Sequence, residues 1–378
     1  MNSAKLKNEV IHILGVGSIG SLIAFHLSKI GKPVSLIFRN HEKEKLFSEN
    51  GFRLGLTNSY LKRKLPQNSS QIVSREFQEH IQVLKKSSGL NFKSDSISTS
   101  DPKPIEKINK LIITTKTFST VEAISSVYNH LSLQPEIFLL QNGMGVAEEV
   151  FSFFKSMNNE KVPKLILGTT THGCMPDTDI FCYVHTGFGT CHISEYISEY
   201  NLKNTDVSYA SLNKNSLIST LLQLPLNVEL APGPDIDIHL LKKLVVNAVL
   251  NPISAIVNCR NGLIFEKADI IRKDLISDLC TEISSIITNT YKEDRIKSLF
   301  TRDFIYNTVF DVCQVTYNNY SSMNIDFNSK RQTEIKYING YLINIANKNG
   351  VGSALNKLLY DLISNTQPSV LDPEILTQ

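Results

Sequence analysis

Lys243, Asn247 and Asn251 are spaced four apart in LKKLVVNAVLNPISAIVNCRNG, residues 241–262. That spacing puts them on one stripe of an α-helix. Leu244, Val245, Val246, Val249, Leu250 and Ile253 make most of the remaining surface apolar. A helix apolar on nearly all sides is buried, so the stripe is expected to be buried with it. A buried ammonium needs a partner or a proton-transfer role, and each amide can both donate and accept. A lysine and two amides in a row therefore suit a ligand with carbonyl, carboxylate and hydroxyl groups. A plainer account stands beside this one: Lys243 as the end of a solvated face with Lys242, and the asparagines as caps at a helix break. Pro252 cannot donate to the helix ladder, so a kink is expected there.

The elements that must carry such a stripe follow from the rest of the chain. Its 378 residues are enough for about two domains. An apolar content of 42% and a charged content of 20% are those of an ordinary soluble globular chain. A net charge of +3 is too small to argue for nucleic acid or an anionic membrane. No apolar run reaches the ~18 residues of a membrane span. The first strand starts within about ten residues of Met1, which leaves too little for a conventional leader, so a cytoplasmic location is expected. None of the six cysteines forms a Cys-x-x-Cys pair or joins histidines at zinc spacing, so unpaired thiols and no metal site are expected.

Val10–Leu14 reads as a buried parallel strand, followed by Gly15-Val16-Gly17-Ser18-Ile19-Gly20. A helix pattern over Ser21–Ile30 ends at Gly31, and Pro33–Phe38 is a second strand. G-x-G-x-x-G between a strand and a helix is the dinucleotide-binding arrangement. Its glycines allow the turn and close approach to a pyrophosphate, and the helix N-terminus faces the phosphates. Where an NAD site has an acid after the second strand, this chain has Phe38-Arg39-Asn40. An arginine can pair with a 2′-phosphate, so NADPH is the expected cofactor, against the alternative of an ordinary surface arginine.

Further strands are expected at Leu111–Thr115, with Lys116 at its end, and at Glu136–Leu140, followed by Gln141-Asn142-Gly143-Met144-Gly145. Another spans Lys164–Thr171 and runs into His172 and Gly173. Ligands of open parallel sheets bind beyond such ends; capping of neighbouring elements would also account for Lys116 and Asn142. Phe181–Thr186 and Thr190–Ser194 suggest a hairpin around Gly187 and Gly189. Ser87–Pro104 reads as a loop or insertion. Leu226–Ala231 suggests a last strand, and Pro232-Gly233-Pro234 is the best domain boundary. From Ile236 on the pattern is helical: Asp269–Asn289, Arg302–Cys313, a loop at Tyr320–Asp326, and a helix from near Lys330 to Gly350. Glu334 falls near that last helix's N-terminus, where the dipole favours a carboxylate; it also fits a simple capping or surface acid.

Taken together, GVGSIG, TTK at Lys116, QNGMG at Asn142, GTTTHG ending at Gly173, KLVVNAVLNPISAIVNCRNG, YSSM and RQTEIKYINGYL resemble the 2-dehydropantoate 2-reductase (ketopantoate reductase) family. The blocks run in the family's order from residue 10 to about residue 345. The resemblance implies an α/β Rossmann-type dinucleotide-binding domain over 1–234, with a polar insertion at about 59–107, and an all-α substrate domain over 235–378. It implies reduction of 2-dehydropantoate by NADPH in pantothenate and coenzyme A biosynthesis, and it admits a homodimer. By position it makes Lys243 the general acid, with Glu334 also catalytic and reaching the nicotinamide ribose. It makes Asn247, Asn251, Asn261 and Ser322 substrate contacts. Gly15, Val16, Gly17, Ser18, Ile19, Gly20, Arg39, Lys116, Asn142 and Gly173 become cofactor contacts, with Asn142 near the substrate too. Two alternatives stay open: a reductase of another branched 2-oxo acid, and a non-catalytic NADP-binding relative.

Overall fold

The computed structural model describes residues 10–38, 41–51, 53–59, 93–96, 107–157, 160–196, 213, 215–231, 233–266 and 274–365. The chain divides into two compact units: Met1–Gln141 with Ala147–Ile236, and Asn142–Val146 with Asp237–Gln378.

The first unit is α/β and of Rossmann type. Its main strands are β1 (Ile11–Leu14), β2 (Val34–Phe38), β4 (Lys93–Ser96), β5 (Ile108–Ile113), β6 (Leu131–Leu140), β7 (Lys164–Thr170), β10 (Cys191–Glu195) and β11 (Val228–Leu230). They form one sheet in the order β11-β10-β7-β6-β5-β1-β2-β4. From β4 to β7 every neighbouring pair is parallel, and β10 runs antiparallel to β7. Every residue of β1 is buried, as a central parallel strand covered on both faces requires. Helices α1 (Ser18–Lys29), α2 (His41–Glu49), α3 (Thr120–Val127), α4 (Val146–Ser156) and α5 (Leu217–Leu221) belong to this part of the chain. Ile11, Ile13, Leu22, Leu27, Leu36, Ile112 and Phe138 form its core. Strand order reverses at β1, between β5 and β2, which puts the glycine turn at the switch point.

Two expectations about strands are corrected. The hairpin of Phe181–Thr186 with Thr190–Ser194 does not form. β9 (Cys182–Gly187) instead pairs with β3 (Gly55–Asn58) and β8 (Gly173–Pro176) in a separate three-stranded sheet, while β10 joins the main sheet beside β7. Gly189, between them, packs so close to Thr171 that a Cβ there would lie 2.4 Å from its hydroxyl oxygen. The chain therefore crosses from one sheet to the other at this point. The stretch Ser87–Pro104, read as a loop, contains β4, which adds to β2 in parallel. Strand addition uses backbone groups, so a polar segment at a sheet edge leaves no apolar alternation to read. The rest of the expected insertion lies outside the described residues.

The second unit is helical. It comprises α6 (Pro234–Ile256), which enters from the first unit, then α7 (Leu263–Glu266), α8 (Leu275–Thr290), α9 (Asp294–Leu299) and α10 (Arg302–Val315). α11 (Ser322–Asn328), a 3₁₀ turn (Ile335–Tyr337), α12 (Asn339–Lys348) and α13 (Ala354–Asn365) complete it. Pro234 opens α6 at the position where a missing N–H costs nothing. Leu244, Val245, Val249 and Leu250 of α6 share a core with Ile283, Ile287, Leu342 and Leu359.

Two helix expectations are also corrected. Tyr320–Asp326 is not a loop: Ser321 caps α11, its Oγ accepting from the Asn324 N–H at 3.0 Å. The helix expected from Lys330 does not begin until Asn339. Lys330 is left-handed (φ 55°), and Ile338 (φ −109°, ψ −91°) stands outside helical geometry. Glu334 therefore precedes a 3₁₀ turn, not the first turn of a long helix.

Candidate active site

In the first unit, Gly15–Gly20, Lys116 and Gly173 each follow the C-terminal end of a parallel strand: β1, β5 and β7. The turn after β1 is held from beneath. The Thr114 hydroxyl donates to the Gly15 carbonyl at 2.6 Å, and a Cβ at Gly20 would stand 2.1 Å from that same carbonyl oxygen. Gly15 is itself left-handed, at φ +106°. The outer side is open: nothing lies within 4 Å of a Cβ built at Gly17, the residue before α1. The first turn of α1 has no side-chain cap and no acidic residue. Its N–H groups and the open glycine fit a pyrophosphate, which brings the acceptors this turn lacks. The backbone of Val16 accepts from the Tyr183 hydroxyl at 3.4 Å, Ser18 and Ile19 begin α1, and Lys116 is exposed. Arg39 lies outside the described residues.

Gly173 is steadied by a neighbour that sequence reasoning passed over. The His172 Nε2 lies 2.9 Å from the Leu226 carbonyl, and its Nδ1 accepts from the Gly189 N–H at 3.0 Å. A carbonyl can only accept, so the proton of His172 is on Nε2. His185 Nε2, 3.0 Å from that same Nδ1, must then be the donor of its pair. Burial, and next the charge of His172, push the pKa of His185 down to about 4; burial lowers that of His172 too. The accepting Nδ1 requires a neutral His172, and burial favours the neutral form of His185.

In the second unit the stripe on α6 is graded. Lys243 and Asn247 are half-buried, and Asn251 is 5% exposed. Asn142 opens the five-residue stretch that belongs to this unit, and its Nδ2 donates to Glu334 Oε2 at 3.0 Å. The stretch is docked by backbone. The Met144 N–H donates to the Tyr337 carbonyl at 2.8 Å, and a Cβ on Gly143 (φ +82°) would meet that carbonyl oxygen at 2.3 Å. Glu334 is 5% exposed, so its carboxylate is presented by a nearly dry setting with an amide to orient it. Ser322 is exposed in the first turn of α11. Asn261 is buried; its Nδ2 donates to Thr316 Oγ1 at 3.0 Å, and its Oδ1 has no hydrogen-bond partner among the described residues.

Two groups of residues that hold this arrangement were not foreseen. Beyond Pro252, the Ser254 hydroxyl lies 2.8 Å from Ser321 Oγ and bonds the Asn251 carbonyl at 3.1 Å, while Asn324 Nδ2 donates to the Ser254 carbonyl at 2.5 Å. The end of α6 and the start of α11 are thereby locked together. Before Pro252, Asn339 Nδ2 donates to the Ala248 carbonyl at 2.9 Å. The available signal was Pro252 itself, because a proline within a helix leaves the carbonyl four residues earlier in need of another donor. Among the described residues no cluster of His, Cys, Asp and Glu could hold a metal, and no helix is long and apolar enough to cross a membrane.

Comparison with known proteins gives the family and the fold. Residues 11–197 match the family model described as ketopantoate reductase PanE/ApbA, and residues 235–367 match its C-terminal model. A probable 2-dehydropantoate 2-reductase of Schizosaccharomyces pombe is 28% identical, over 93% of this chain and 95% of its own. The 2-dehydropantoate 2-reductase of Yersinia pestis is 31% identical, over 72% of this chain and 78% of its own. Among solved structures, the ternary structure of D-mandelate dehydrogenase with NADH and anilino(oxo)acetate superposes with a TM-score of 0.68 at 19% identity, covering 96% of this chain and 99% of that one. At that identity the likeness is one of fold. Matched over both of its halves, the chain belongs to the ketopantoate reductase family.

Proposed function

We propose that this chain reduces the ketone of 2-dehydropantoate to the alcohol of pantoate with NADPH, in the synthesis of pantothenate and coenzyme A. The observation that carries the reading is the 3.0 Å bond between Asn142 and Glu334, in the same helical unit as the Lys243-Asn247-Asn251 stripe. It joins two blocks of the family resemblance that lie far apart in sequence.

NADPH, when bound, supplies the hydride; the chain's residues do the rest. The Lys243 ammonium donates a hydrogen bond to the ketone oxygen, which gains negative charge, and then passes it a proton. Ser322 binds the substrate carboxylate. Asn247, Asn251 and Asn261 orient the hydroxyl and carbonyl ends. Glu334, held by Asn142, keeps the hydroxyl of substrate or ribose in register. The turn Gly15-Val16-Gly17-Ser18-Ile19-Gly20 receives the pyrophosphate, with Lys116 and Gly173 at neighbouring strand ends and Arg39 taking the 2′-phosphate. In this reading residues 1–234 bind the cofactor and residues 235–378 the substrate. All six cysteines are free thiols, which fits a reducing compartment and the cytoplasm. Assembly as a homodimer rests on the family resemblance and is decided by sedimentation.

The test is NADPH oxidation by the purified chain with and without 2-dehydropantoate, beside a panel of other branched 2-oxo acids. Oxidation that depends on 2-dehydropantoate above the panel supports the reading. Equal or better turnover of a panel member moves the substrate, and no turnover of any leaves a dinucleotide-binding protein.

A further inference from the structure

Pro252 lies inside α6, between the stripe residue Asn251 and the last turn of the helix. In an unbroken helix the N–H at 252 would bond the carbonyl of Ala248. Proline has no N–H, so that carbonyl, on a residue 0% exposed, has neither helix nor water to satisfy it. Ala248 sits between Asn247 and Asn251, so the deficit falls within the stripe.

Asn339 meets the deficit, and its orientation is determined. Asn339 is 0% exposed, and its Nδ2 donates both to the Ala248 carbonyl at 2.9 Å and to Asn356 Oδ1 at 3.0 Å. Asn356 is also 0% exposed, and its Nδ2 donates to Glu282 Oε1 at 2.8 Å, which leaves only its oxygen for Asn339. Glu282 in turn receives the N–H groups of Leu355 and Asn356 at 2.9 and 2.8 Å, closing the first turn of α13. The chain of donors runs one way, from the Asn356 amide to a carboxylate and from the Asn339 amide to two oxygens. Turning the Asn339 amide over would set its oxygen against two other oxygens. Its Oδ1 is left without a partner among the described residues, a cost that marks the two donated bonds as the ones the site is built to keep.

Asn339 also opens α12, five residues after Glu334, and the 3₁₀ turn between them is the one that docks the Asn142 stretch. We propose, resting on the reductase reading above, that Asn339 is a positioning residue for the reaction. By donating to the proline-freed carbonyl of Ala248 it sets the stripe of Lys243, Asn247 and Asn251 in register with Glu334. The proline creates an acceptor that only the correct partner segment can fill, so the break in the helix acts as an alignment point. Asn339 touches neither substrate nor cofactor in this role.

The test is a double-mutant cycle on the full chain with Asn339→Leu, which keeps the branching and removes the donor, and Pro252→Ala, which restores a backbone donor to Ala248. Asn339→Leu is expected to lower kcat by about ten- to a hundredfold, the effect of a small misplacement of reacting groups. KM for NADPH should stay within about twofold, because the glycine turn is untouched. The loss of unfolding temperature on Asn339→Leu should shrink by about half or more in the Pro252→Ala background, where the carbonyl has its own donor. Asn339→Leu with kcat within about twofold of wild type, or the same loss of unfolding temperature in both backgrounds, overturns the proposal. Should Asn339→Leu fail to fold, Asn339→Ala, smaller and without a donor, carries the same two outcomes. A wild-type chain that turns over no 2-oxo acid refutes the reductase reading, and the positioning role falls with it. The unfolding cycle then still decides separately whether Asn339 serves Ala248.

Discussion

At the glycine turn after β1, the described residues give the first N–H groups of the α1 helix no side-chain cap and no acid, and leave open space over Gly17. At Pro252 a backbone carbonyl lacks a partner, and the chain takes it up at once with a buried asparagine from a distant segment. The two units thus treat a broken backbone ladder in opposite ways. Donors left over at a surface are kept for a ligand, which brings its own acceptors and its own charge. An acceptor left over in a core must be filled from within, and filling it ties two helices together. On the proposed reading, a cofactor grip is built by leaving groups unsatisfied, and a reaction geometry by satisfying them.

Substitutions can separate grip from chemistry. The largest expected effect is that of Lys243→Ala, a fall in kcat of about 10² to 10⁴ with NADPH affinity preserved, measured by turnover and by fluorescence titration of the cofactor. Near-normal turnover would remove Lys243 as the acid, and loss of NADPH binding alone would move it to the grip. Acid should act on the first unit. His185 and His26 are held down to about 4, chiefly by burial, against about 6.5 in the unfolded chain. The unfolded state binds more protons between these values, so their contribution is complete above pH 6.5 and lost as pH falls to 4. For His185 alone this is about 3 kcal/mol, read as a falling urea midpoint that His185→Asn should flatten. Gly20→Ala should then cost roughly 1–3 kcal/mol of stability together with NADPH binding, because its Cβ meets backbone. Gly17→Ala should weaken NADPH binding by about tenfold and leave the unfolding temperature alone, since its Cβ meets only open space. If both glycines behave alike, the contrast between a held side and an open side of the turn is wrong. The smallest effect belongs to the exposed Lys357–Asp361 pair at 2.8 Å, where Lys357→Ala should change stability by less than about 0.5 kcal/mol.

The glycine turn was far more legible in the sequence than the contacts around Pro252. The glycine turn, its flanking strands and the strand ends at Lys116 and Gly173 are local patterns, each readable within a few residues. The stripe on α6 was readable for the same reason. Family resemblance, not spacing, brought Glu334 and Ser322 into the candidate site, because the segments that carry them are irregular. Ser321 and Asn324, which shape the start of α11, look like loop residues until their caps are seen. Asn339 is apolar in neither periodicity nor setting, and its role depends on a carbonyl in another helix. β4 escaped notice because an edge strand is made by backbone pairing.

The stretch Asn142–Val146 carries a consequence for how the chain is made. It leaves the ribosome with the first unit but belongs to the second, and Tyr337, which accepts its Met144 N–H, is synthesised much later. A nascent first unit therefore carries an unfinished piece of its successor through most of translation. Truncation at the Pro-Gly-Pro segment would strand that piece permanently, so a fragment of either unit expressed alone should be aggregation-prone, and coexpressed fragments should recover as a pair.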